Sequence, residues 1–529
     1  MLSFLIRRFR GALLAAAIAS VISGSCSVFL VSQINVVLAA QTTAPLQGLK
    51  FALSAVAAMC AHMFSAMLFQ NLRQRAGAEL REYISGQVMQ APFRYLERVG
   101  SASVQSALSE HTASVTQFFV SVPALLTSGA IVVGCLIYLM VLSPRIFLVT
   151  LPFVALGAFG YHLAHLKAIN YLRSGTAEQE RLFEHFRSLT EGAKELRLNR
   201  AKRRFFSDSV LSRSIESVRR QRTVGMSLFV AASSWGNFLI YAFLGLVLFV
   251  IAGDIPDRAR VLTGFALVMV YMVGPLQALL VSIPNANLVK VAAERIEALV
   301  RGMKSTELEV TAVSEGALRS IELQSIRHRY HDPQSNESFH VGPIDLRFAP
   351  GEVTFLVGGN GSGKTTLAKV LVGLYPPEAG AILLNDELID DANRDRYRQQ
   401  FSAVFSDFHL FDSLLEQRRP ELDERGNRLL ARLQLLHKVQ LREGAFTTRS
   451  LSHGQRKRLA LVVACLEDRP VLVFDEWAAD QDPGFKNIFY REVLAELREE
   501  GKSVVVISHD DRYFDVADRI VRLENGLVV

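Results

Sequence analysis

The chain has 529 residues, of which 50% are hydrophobic and 21% are charged, and its mean hydropathy is +0.23. This composition is too apolar for an ordinary soluble protein, and the excess lies before residue 290. The net charge is +7, but the basic residues cluster in loops between apolar segments, which is typical of membrane orientation and disfavours nucleic-acid binding.

The first apolar run is Gly11–Ala40, and the basic residues Arg7, Arg8 and Arg10 precede it. A secretory signal peptide is the rival interpretation, because Val37-Leu38-Ala39 resembles a cleavage site. The run is about twice as long as the apolar region of a signal peptide, and further apolar segments follow it. The sequence therefore predicts an uncleaved first membrane span.

Five more apolar runs reach the ~20 residues that a helix needs to cross a bilayer. They are Leu49–Phe69, Phe118–Leu142, Ile146–Leu166, Met226–Ala252 and Val261–Ile283. The long loops 71–116 and 167–223 are rich in Arg and Lys, whereas the connection Ala39–Gly48 carries no charge. The positive-inside rule then places both termini of this multi-pass protein in the cytoplasm, with its spans in contact with membrane lipid.

Polar residues inside these spans leave three interpretations open. Asn35, Asn237 and Gln277 are examples. Such residues line a solute pathway, form hydrogen bonds between helices, or lie near the ends of the spans.

The two internal loops are too long to be simple connectors. Leu80–Thr116 and Thr176–Arg222 carry spaced apolar residues among charges, which predicts helices that extend the spans into the cytoplasm. Pro92 interrupts the first loop and Gly192 the second, so short crosswise helices are expected against another domain. The alternative is a solvated basic surface near anionic lipid.

The composition changes after residue 300. Residues 301–318 are rich in Ser, Thr, Glu and Gly and are interpreted as a linker. From Ile321 onward, short β-type runs alternate with helical ones, as in a doubly wound α/β domain. The predicted organisation is a membrane all-α domain of six transmembrane helices at 1–300, the linker, and an α/β P-loop nucleotide-binding domain at 319–529.

A glycine-rich loop lies between the apolar run Val353–Val357 and the helical run Leu367–Leu374 and matches G-x-x-x-x-G-K-[ST]. Glycines let backbone N–H groups turn toward phosphates, and the following helix adds the positive end of its dipole. Lys364 is expected to reach the β- and γ-phosphates, and the Thr365 hydroxyl to ligate Mg²⁺. The pattern predicts an ATP-binding loop that comprises Gly358, Asn360, Gly361, Ser362, Gly363, Lys364, Thr365 and Thr366.

An apolar strand ends in two carboxylates at Asp475 and Glu476, about 110 residues after Lys364. The carboxyl end of such a strand lies beside the phosphate loop, where Asp475 is expected to hold Mg²⁺. Glu476 is then positioned to accept a proton from the attacking water.

Between these motifs lies Leu451-Ser452-His453-Gly454-Gln455, in which Ser452 is suited to cap the helix that follows. The order of motifs resembles the ATP-binding-cassette (ABC) proteins, whose signature is L-S-x-G-Q. In that family two cassettes pair head to tail. The resemblance therefore implies that Ser452, Gly454 and Gln455 bind the partner's ATP.

The same resemblance implies further ATP-site residues. Tyr330 is at the position of the adenine-stacking aromatic residue, Asp482 at that of the dimer-contact aspartate, and His509 at that of the γ-phosphate histidine. Ser406 stands where the family has a glutamine that contacts Mg²⁺ and the membrane domain. That departure puts the coupling between ATP and the membrane domain in doubt, and Asp407 is a candidate to share the role of the missing glutamine. His453 replaces the usual second glycine of the signature, a milder change.

Six spans followed by one cassette resemble a half-size exporter, which implies a homodimer that hydrolyses ATP. The segments 401–411, 475–483 and 508–514 are similar to those of the bacterial cyclic-peptide exporter family, whose members serve pyoverdine-type siderophores and syringomycin-type lipopeptides. The resemblance implies a cyclic or nonribosomal peptide as the cargo and the bacterial inner membrane as the location. A lipid or drug exporter, or less favourably a membrane-bound ATP-sensing regulator, remains an alternative.

Overall fold

The computed structural model describes residues 7–40, 45–249, 258–304, 307, 317–331, 338–415 and 419–529. The chain forms two compact units. One comprises Met1–Gly86 and Ala102–Arg301, and the other comprises Gln87–Ser101 and Gly302–Val529. Most of the predicted linker 301–318 lies outside the described residues, as does 253–257 in the connection between the last two spans.

The first unit is helical. The part of it that the structure describes contains six helices that are long and apolar enough to cross a membrane. Together with the α/β domain described below, they confirm the predicted fold class. The helices are α1 (Arg10–Ala40), α2 (Pro45–Gln90), α4 (Ser101–Leu142), α5 (Pro144–Glu191), α7 (Arg200–Phe249) and α8 (Arg258–Gly302).

Several of these helices are much longer than a bilayer is thick. At 1.5 Å per residue, the 48 residues of α5 extend about 70 Å, whereas the hydrocarbon core spans about 30 Å. Short helices occur at the two predicted interruptions. They are α3 (Phe93–Val99), which follows Pro92, and α6 (Ala193–Leu198), which follows Gly192. The prediction of spans that continue as helices is therefore confirmed.

Polar side chains join helices within this unit. The amide of Asn35 on α1 donates to the Tyr138 hydroxyl on α4 at 2.9 Å, and the amide of Gln277 on α8 donates to Asn237 Oδ1 on α7 at 3.2 Å. Ser20 and Ser65 are also hydrogen-bonded, at 2.6 Å. The structure thus shows helix–helix hydrogen bonds, one of the three interpretations, at Asn35, Asn237 and Gln277.

The second unit is built on a six-stranded sheet in the order β12-β11-β3-β10-β9-β6. The strands from β11 to β6 in this order pair in parallel, and β12 pairs with β11 in antiparallel fashion. The bounds are β3 (Val353–Val357), β6 (Phe401–Val404), β9 (Val471–Asp475), β10 (Ser503–Ile507), β11 (Arg519–Glu524) and β12 (Leu527–Val528).

The central strands are apolar on both faces because both faces are covered. Phe355 and Phe474 belong to one hydrophobic cluster, whereas Leu356 and Val473, their neighbours in the chain, belong to another. This alternation follows from the two-residue period of a strand. The helices α9 (Lys364–Leu371), α10 (Arg394–Arg398), α11 (Pro420–Arg432) and α12 (His453–Leu466) also belong to this unit.

A second, four-stranded antiparallel sheet has the order β2-β1-β4-β5. Its members are β1 (Ile321–His331), β2 (Ser338–Phe348), β4 (Ala379–Leu384) and β5 (Glu387–Leu388). The short hairpin of β7 (Leu441–Arg442) and β8 (Ala445–Phe446) and the segment Pro483–Glu499, helical throughout with a π-helical turn, complete the named elements.

Helix α3 packs inside this second unit. Glu97 accepts hydrogen bonds from the Lys369 ammonium at 2.8 Å and from the Tyr375 hydroxyl. Phe93 lies against the Tyr375 ring, with centroids 6.1 Å apart, and Arg94 donates to the Arg329 carbonyl at 3.2 Å. The first short crosswise helix therefore contacts the α/β domain, as the docking interpretation expects.

Candidate functional site

The glycine-rich loop connects β3 to α9 and has the backbone that such a loop requires. Gly358 has φ of 145° and Gly363 has φ of 99°, which an L side chain rarely adopts. A Cβ atom at Gly358 would lie 2.1 Å from the carbonyl oxygen of Leu523. Glycine is therefore needed there for space as well as for conformation.

Lys364 begins α9 and is nearly buried. Its ammonium group donates to the carbonyl oxygens of Gly358 at 3.0 Å and Gly359 at 2.8 Å, so the side chain folds back along the loop. Burial lowers the pKa of Lys364, while the carboxylates of Glu476 and Asp475 oppose that shift. The lysine thus concentrates positive charge within the loop.

Thr365 and Asp475 are brought together across 110 residues of sequence. The threonine hydroxyl donates to Asp475 Oδ2 at 3.0 Å. The other carboxylate oxygen, Oδ1, is buried without a hydrogen-bond partner, and burial raises the pKa of this group. An orphaned buried carboxylate oxygen beside a hydroxyl fits a Mg²⁺ ion, which takes one or two protein oxygens together with water and phosphate.

Glu476 and His509 lie at the carboxyl ends of neighbouring parallel strands β9 and β10. His509 Nε2 is 3.3 Å from Glu476 Oε1, and both side chains are about 40% exposed. Glu476 has φ of 51°, in the left-handed region, and its N–H donates to the Ile507 carbonyl at 3.1 Å. The site therefore opens to solvent at the two groups that sequence assigns to hydrolysis.

Tyr330 pairs with Phe339 across β1 and β2, and Phe339 lies against the phosphate loop, 3.0 Å from a Cβ built at Gly363. Tyr330 therefore lies beside Phe339, the residue that contacts the phosphate loop. Ser406 is exposed. The neighbouring Asp407 lies close enough that its charge contributes, after burial, to the raised pKa of Asp475.

The signature residues begin α12. Ser452 accepts a hydrogen bond from the Gln455 N–H at 3.4 Å, and Gln455 Oε1 accepts one from the Ser452 N–H at 3.1 Å, which forms a capping box. Gly454 is bonded through its carbonyl to Gln481 Nε2 at 3.0 Å. Asp482 caps the next helix by accepting from the N–H groups of Gly484 and Phe485. Within the chain, both Ser452 and Asp482 thus serve as helix caps.

Comparison with known proteins identifies the family. The ABC transporter family profile matches residues 341–479. "ATP-binding protein SyrD" of Pseudomonas syringae pv. syringae is 35% identical over 88% of this chain and 86% of its own length. The chain belongs to the ABC transporter family. It is an ATP hydrolase coupled to transport, a multi-pass inner-membrane protein with a cytoplasmic ATPase domain.

Two further comparisons match this ABC transporter to a flippase in sequence and to an exporter in fold. An ATP-dependent lipid A-core flippase of Cupriavidus metallidurans is 28% identical over 88% of this chain and 80% of its own length. The structure of a bacterial Atm1-family ABC exporter with ATP bound superimposes with a TM-score of 0.78 over 100% of this chain and 95% of that one, at 13% identity. This last likeness concerns the fold.

Sequence reasoning missed a buried lysine of the ATPase domain. Lys457 on α12 donates to the Glu476 carbonyl at 3.1 Å and to Asp480 Oδ2 at 2.6 Å. In the sequence it is only the middle of the basic triplet 456–458. The available signal was its place in the apolar stripe of the helix, because Leu461 follows it at a spacing of four.

The helical domain of the transporter contains a cavity of about 180 Å³ between α5, α7 and α8. Its wall is largely apolar and includes Phe153, Phe243 and Met272. The hydrogen-bonded amides of Asn237 and Gln277 supply polar groups. The volume is below that of a typical drug-sized pocket, about 300 Å³ or more, so the cavity fits one apolar group of a larger solute.

Proposed function

We propose that the chain is an ATP-driven exporter of a cyclic or nonribosomal peptide, such as a siderophore precursor or a lipopeptide. The observation that carries the proposal is the similarity to SyrD, which extends over the helices and the ATPase domain alike. The cavity between α5, α7 and α8 supports it, because an apolar wall with two amides suits an acyl or aromatic side chain attached to a peptide.

The nucleotide site supports hydrolysis by named residues. Lys364 holds the β- and γ-phosphates, and Glu476 accepts a proton from the water that attacks the γ-phosphate. His509, 3.3 Å from Glu476, contacts the γ-phosphate and orients that carboxylate. Thr365 and Asp475 would hold Mg²⁺, which when bound offsets negative charge on the phosphate oxygens.

Two copies of the chain form the working unit, with both termini in the cytoplasm. Ser452 and Gly454 of each copy close on the ATP held by the phosphate loop of the other copy, and Asp482 lies at the contact. ATP binding closes the pair, the internal helices carry that motion to the spans, and hydrolysis resets them. Asp407 assists Ser406 at the Mg²⁺ site, since its charge already acts on Asp475.

Lipid export is the second candidate. The similarity to lipid A-core flippases covers 88% of the chain and favours it. The same cavity suits an acyl chain without a peptide. The cargo must therefore be decided by measuring both classes of compound.

The deciding experiment compares a strain that expresses the chain with one that expresses Glu476→Gln. Peptides and lipids are quantified by mass spectrometry in cytoplasm, periplasm and medium. We expect a peptide to accumulate in the mutant cytoplasm and to fall at least tenfold outside, because losing a general base costs about 10²- to 10⁴-fold in rate.

Membrane abundance of the two proteins, measured by immunoblot, is the control. A lipid redistributed in place of a peptide would favour the second candidate. Normal ATP hydrolysis in Glu476→Gln would contradict the role of Glu476 as the general base. Identical profiles together with no ATP hydrolysis by the parent would favour the ATP-sensing alternative.

A further inference from the structure

Lys457 is a buried cation that the hydrolytic mechanism does not yet use. Its side chain is 5% exposed, although lysine is seldom fully buried. The ammonium donates to the Glu476 carbonyl at 3.1 Å and to the Asp480 carboxylate at 2.6 Å. A buried charge is tolerated when it is paired and hydrogen-bonded. Lys457 is paired with the Asp480 carboxylate and hydrogen-bonded to the Glu476 carbonyl.

The Glu476 carbonyl needs such a partner because the backbone of this residue is strained. With φ of 51°, Glu476 adopts the left-handed conformation, which is unfavourable for a residue that has a Cβ atom. Its carbonyl accepts from Lys457 and from the Ala479 N–H at 3.2 Å, while its own N–H donates to Ile507. These contacts fix the peptide groups on both sides of Glu476 and so fix the direction of its carboxylate.

Two more contacts join the same segments. Trp477, which is buried, donates from its indole to the Lys457 carbonyl at 2.7 Å. Gln481 donates to the Gly454 carbonyl at 3.0 Å. The first turns of α12, which carry the signature, are therefore fastened to the segment 476–481 that carries the glutamate.

We propose that Lys457 is a positioning residue that holds the Glu476 backbone and links the signature to the glutamate of the same chain. The inference rests on the proposed role of Glu476 as the general base. A displacement of the signature would therefore move Lys457 and change the direction of the Glu476 carboxylate. Lys457 acts through Glu476 and does not itself touch the phosphates.

The test uses the full-length transporter in nanodiscs and the variants Lys457→Met and Lys457→Gln. Methionine keeps the apolar stem but has no donor, so we expect kcat to fall about 10- to 100-fold while KM changes less than about threefold, as for a misplaced catalytic group. Glutamine keeps a donor and is expected to restore most of kcat. Binding of a fluorescent ATP analogue should stay within about twofold of the parent, because the lysine is not part of the ATP site.

The decisive readout is the combination with Glu476→Gln. If Lys457 acts through Glu476, Lys457→Met leaves the residual hydrolysis of Glu476→Gln unchanged. An equal fall in both backgrounds would overturn the inference and indicate general loss of structure. Lys502→Met is the matched control, since Lys502 is also mostly buried and paired with a carboxylate, Asp468, at 2.6 Å.

Two outcomes separate this inference from the proposed function. Full activity of Glu476→Gln would overturn the proposed base, whereas full activity of Lys457→Met beside an inactive Glu476→Gln would overturn the positioning role alone. If Lys457→Met does not fold, Asp480→Ala decides the matter, because it removes the carboxylate that accepts from Lys457 at 2.6 Å and lies at an exposed position. A lower kcat at unchanged KM is then expected, and an unchanged kcat would refute the inference.

Discussion

Asp475 is a buried carboxyl group at the edge of the phosphate loop, with one oxygen bonded to Thr365 and the other without a partner. Such a group favours its neutral form, so burial raises its pKa above the ordinary value of 3.8. Ionising this group in the folded protein therefore costs stability. That cost is the physical reason to regard the position as built for a cation.

Asp475→Asn is expected to melt at a higher temperature than the parent when no nucleotide is present, because the amide needs no ionisation. The pKa is higher in the folded than in the unfolded state, so the destabilisation is full above the folded pKa and fades as the pH falls through it. The difference in Tm should therefore be largest at pH 7–8 and shrink toward pH 4.

Thermal unfolding of the detergent-purified protein across that pH range measures the difference. Adding Mg²⁺ and ATP should stabilise the parent and not Asp475→Asn. A variant that is less stable than the parent at pH 8 would contradict the account, as would equal stabilisation of both by Mg²⁺ and ATP.

At the scale of elements, helix α3 is held in the ATPase unit by a few polar contacts. Glu97 joins Lys369, on the helix that begins with Lys364, to Tyr375 beyond its end. The Lys369 ammonium also lies 5.4 Å from the ring centroids of Phe93 and Tyr375. None of the residues of α3 is buried, so this short helix depends on such contacts for its order.

Glu97→Ala is expected to speed hydrogen–deuterium exchange of the amides 93–99 about tenfold, which corresponds to ~1.4 kcal/mol. This change corresponds to the loss of the hydrogen bond between Glu97 and Lys369, two charged groups that are partly exposed. Glu195→Ala on α6 is the control and should leave exchange in α3 unchanged. Unaltered exchange in Glu97→Ala would show that apolar contacts alone hold α3.

At the scale of the whole molecule, the proposed homodimer is tested at Gly454. A Cβ atom there would meet nothing in its own chain closer than the Asp480 carbonyl oxygen at 3.4 Å, an ordinary contact. Gly454→Ala should therefore fold with an unchanged Tm. If the partner's ATP approaches this bare backbone, however, hydrolysis should fall at least about tenfold, as for a misplaced reacting group.

Mixed dimers sharpen the test. One copy carries Gly454→Ala and the other carries Lys364→Ala, so that only one of the two composite sites is damaged when signature and phosphate loop come from different chains. Activity near half that of the parent is expected for independent sites. A mixed dimer as inactive as the homodimer of either variant would argue against composite sites of this kind.

How much of this architecture the sequence predicted depends on how local the signal is. The positions of Lys364 and Thr365 in the fold were predictable because a strand, a loop and a helix follow one another within a few residues, and those of Asp475 and Glu476 because they end an apolar strand. The spans were predictable because each is a continuous apolar run. Lys457 was not, since its role depends on burial and on a partner 19 residues away.

The packing of α3 illustrates the same limit at longer range. Pro92 predicted the break, but the contact between Glu97 and Tyr375 joins residues 278 positions apart. No local pattern encodes such a pairing. The Ser406 substitution was visible in the sequence, whereas the effect of Asp407 on Asp475 required the folded sheet.

The left-handed backbone of Glu476 has a consequence for how this protein can change over time. Glycine would relax the backbone there and make the fold more stable, yet it would remove the carboxylate. Selection for stability therefore favours glycine at position 476, whereas selection for turnover favours glutamate. A copy of this protein that is under selection for turnover keeps glutamate at position 476. A copy released from that selection and changed to glycine would be more stable but would not hydrolyse ATP.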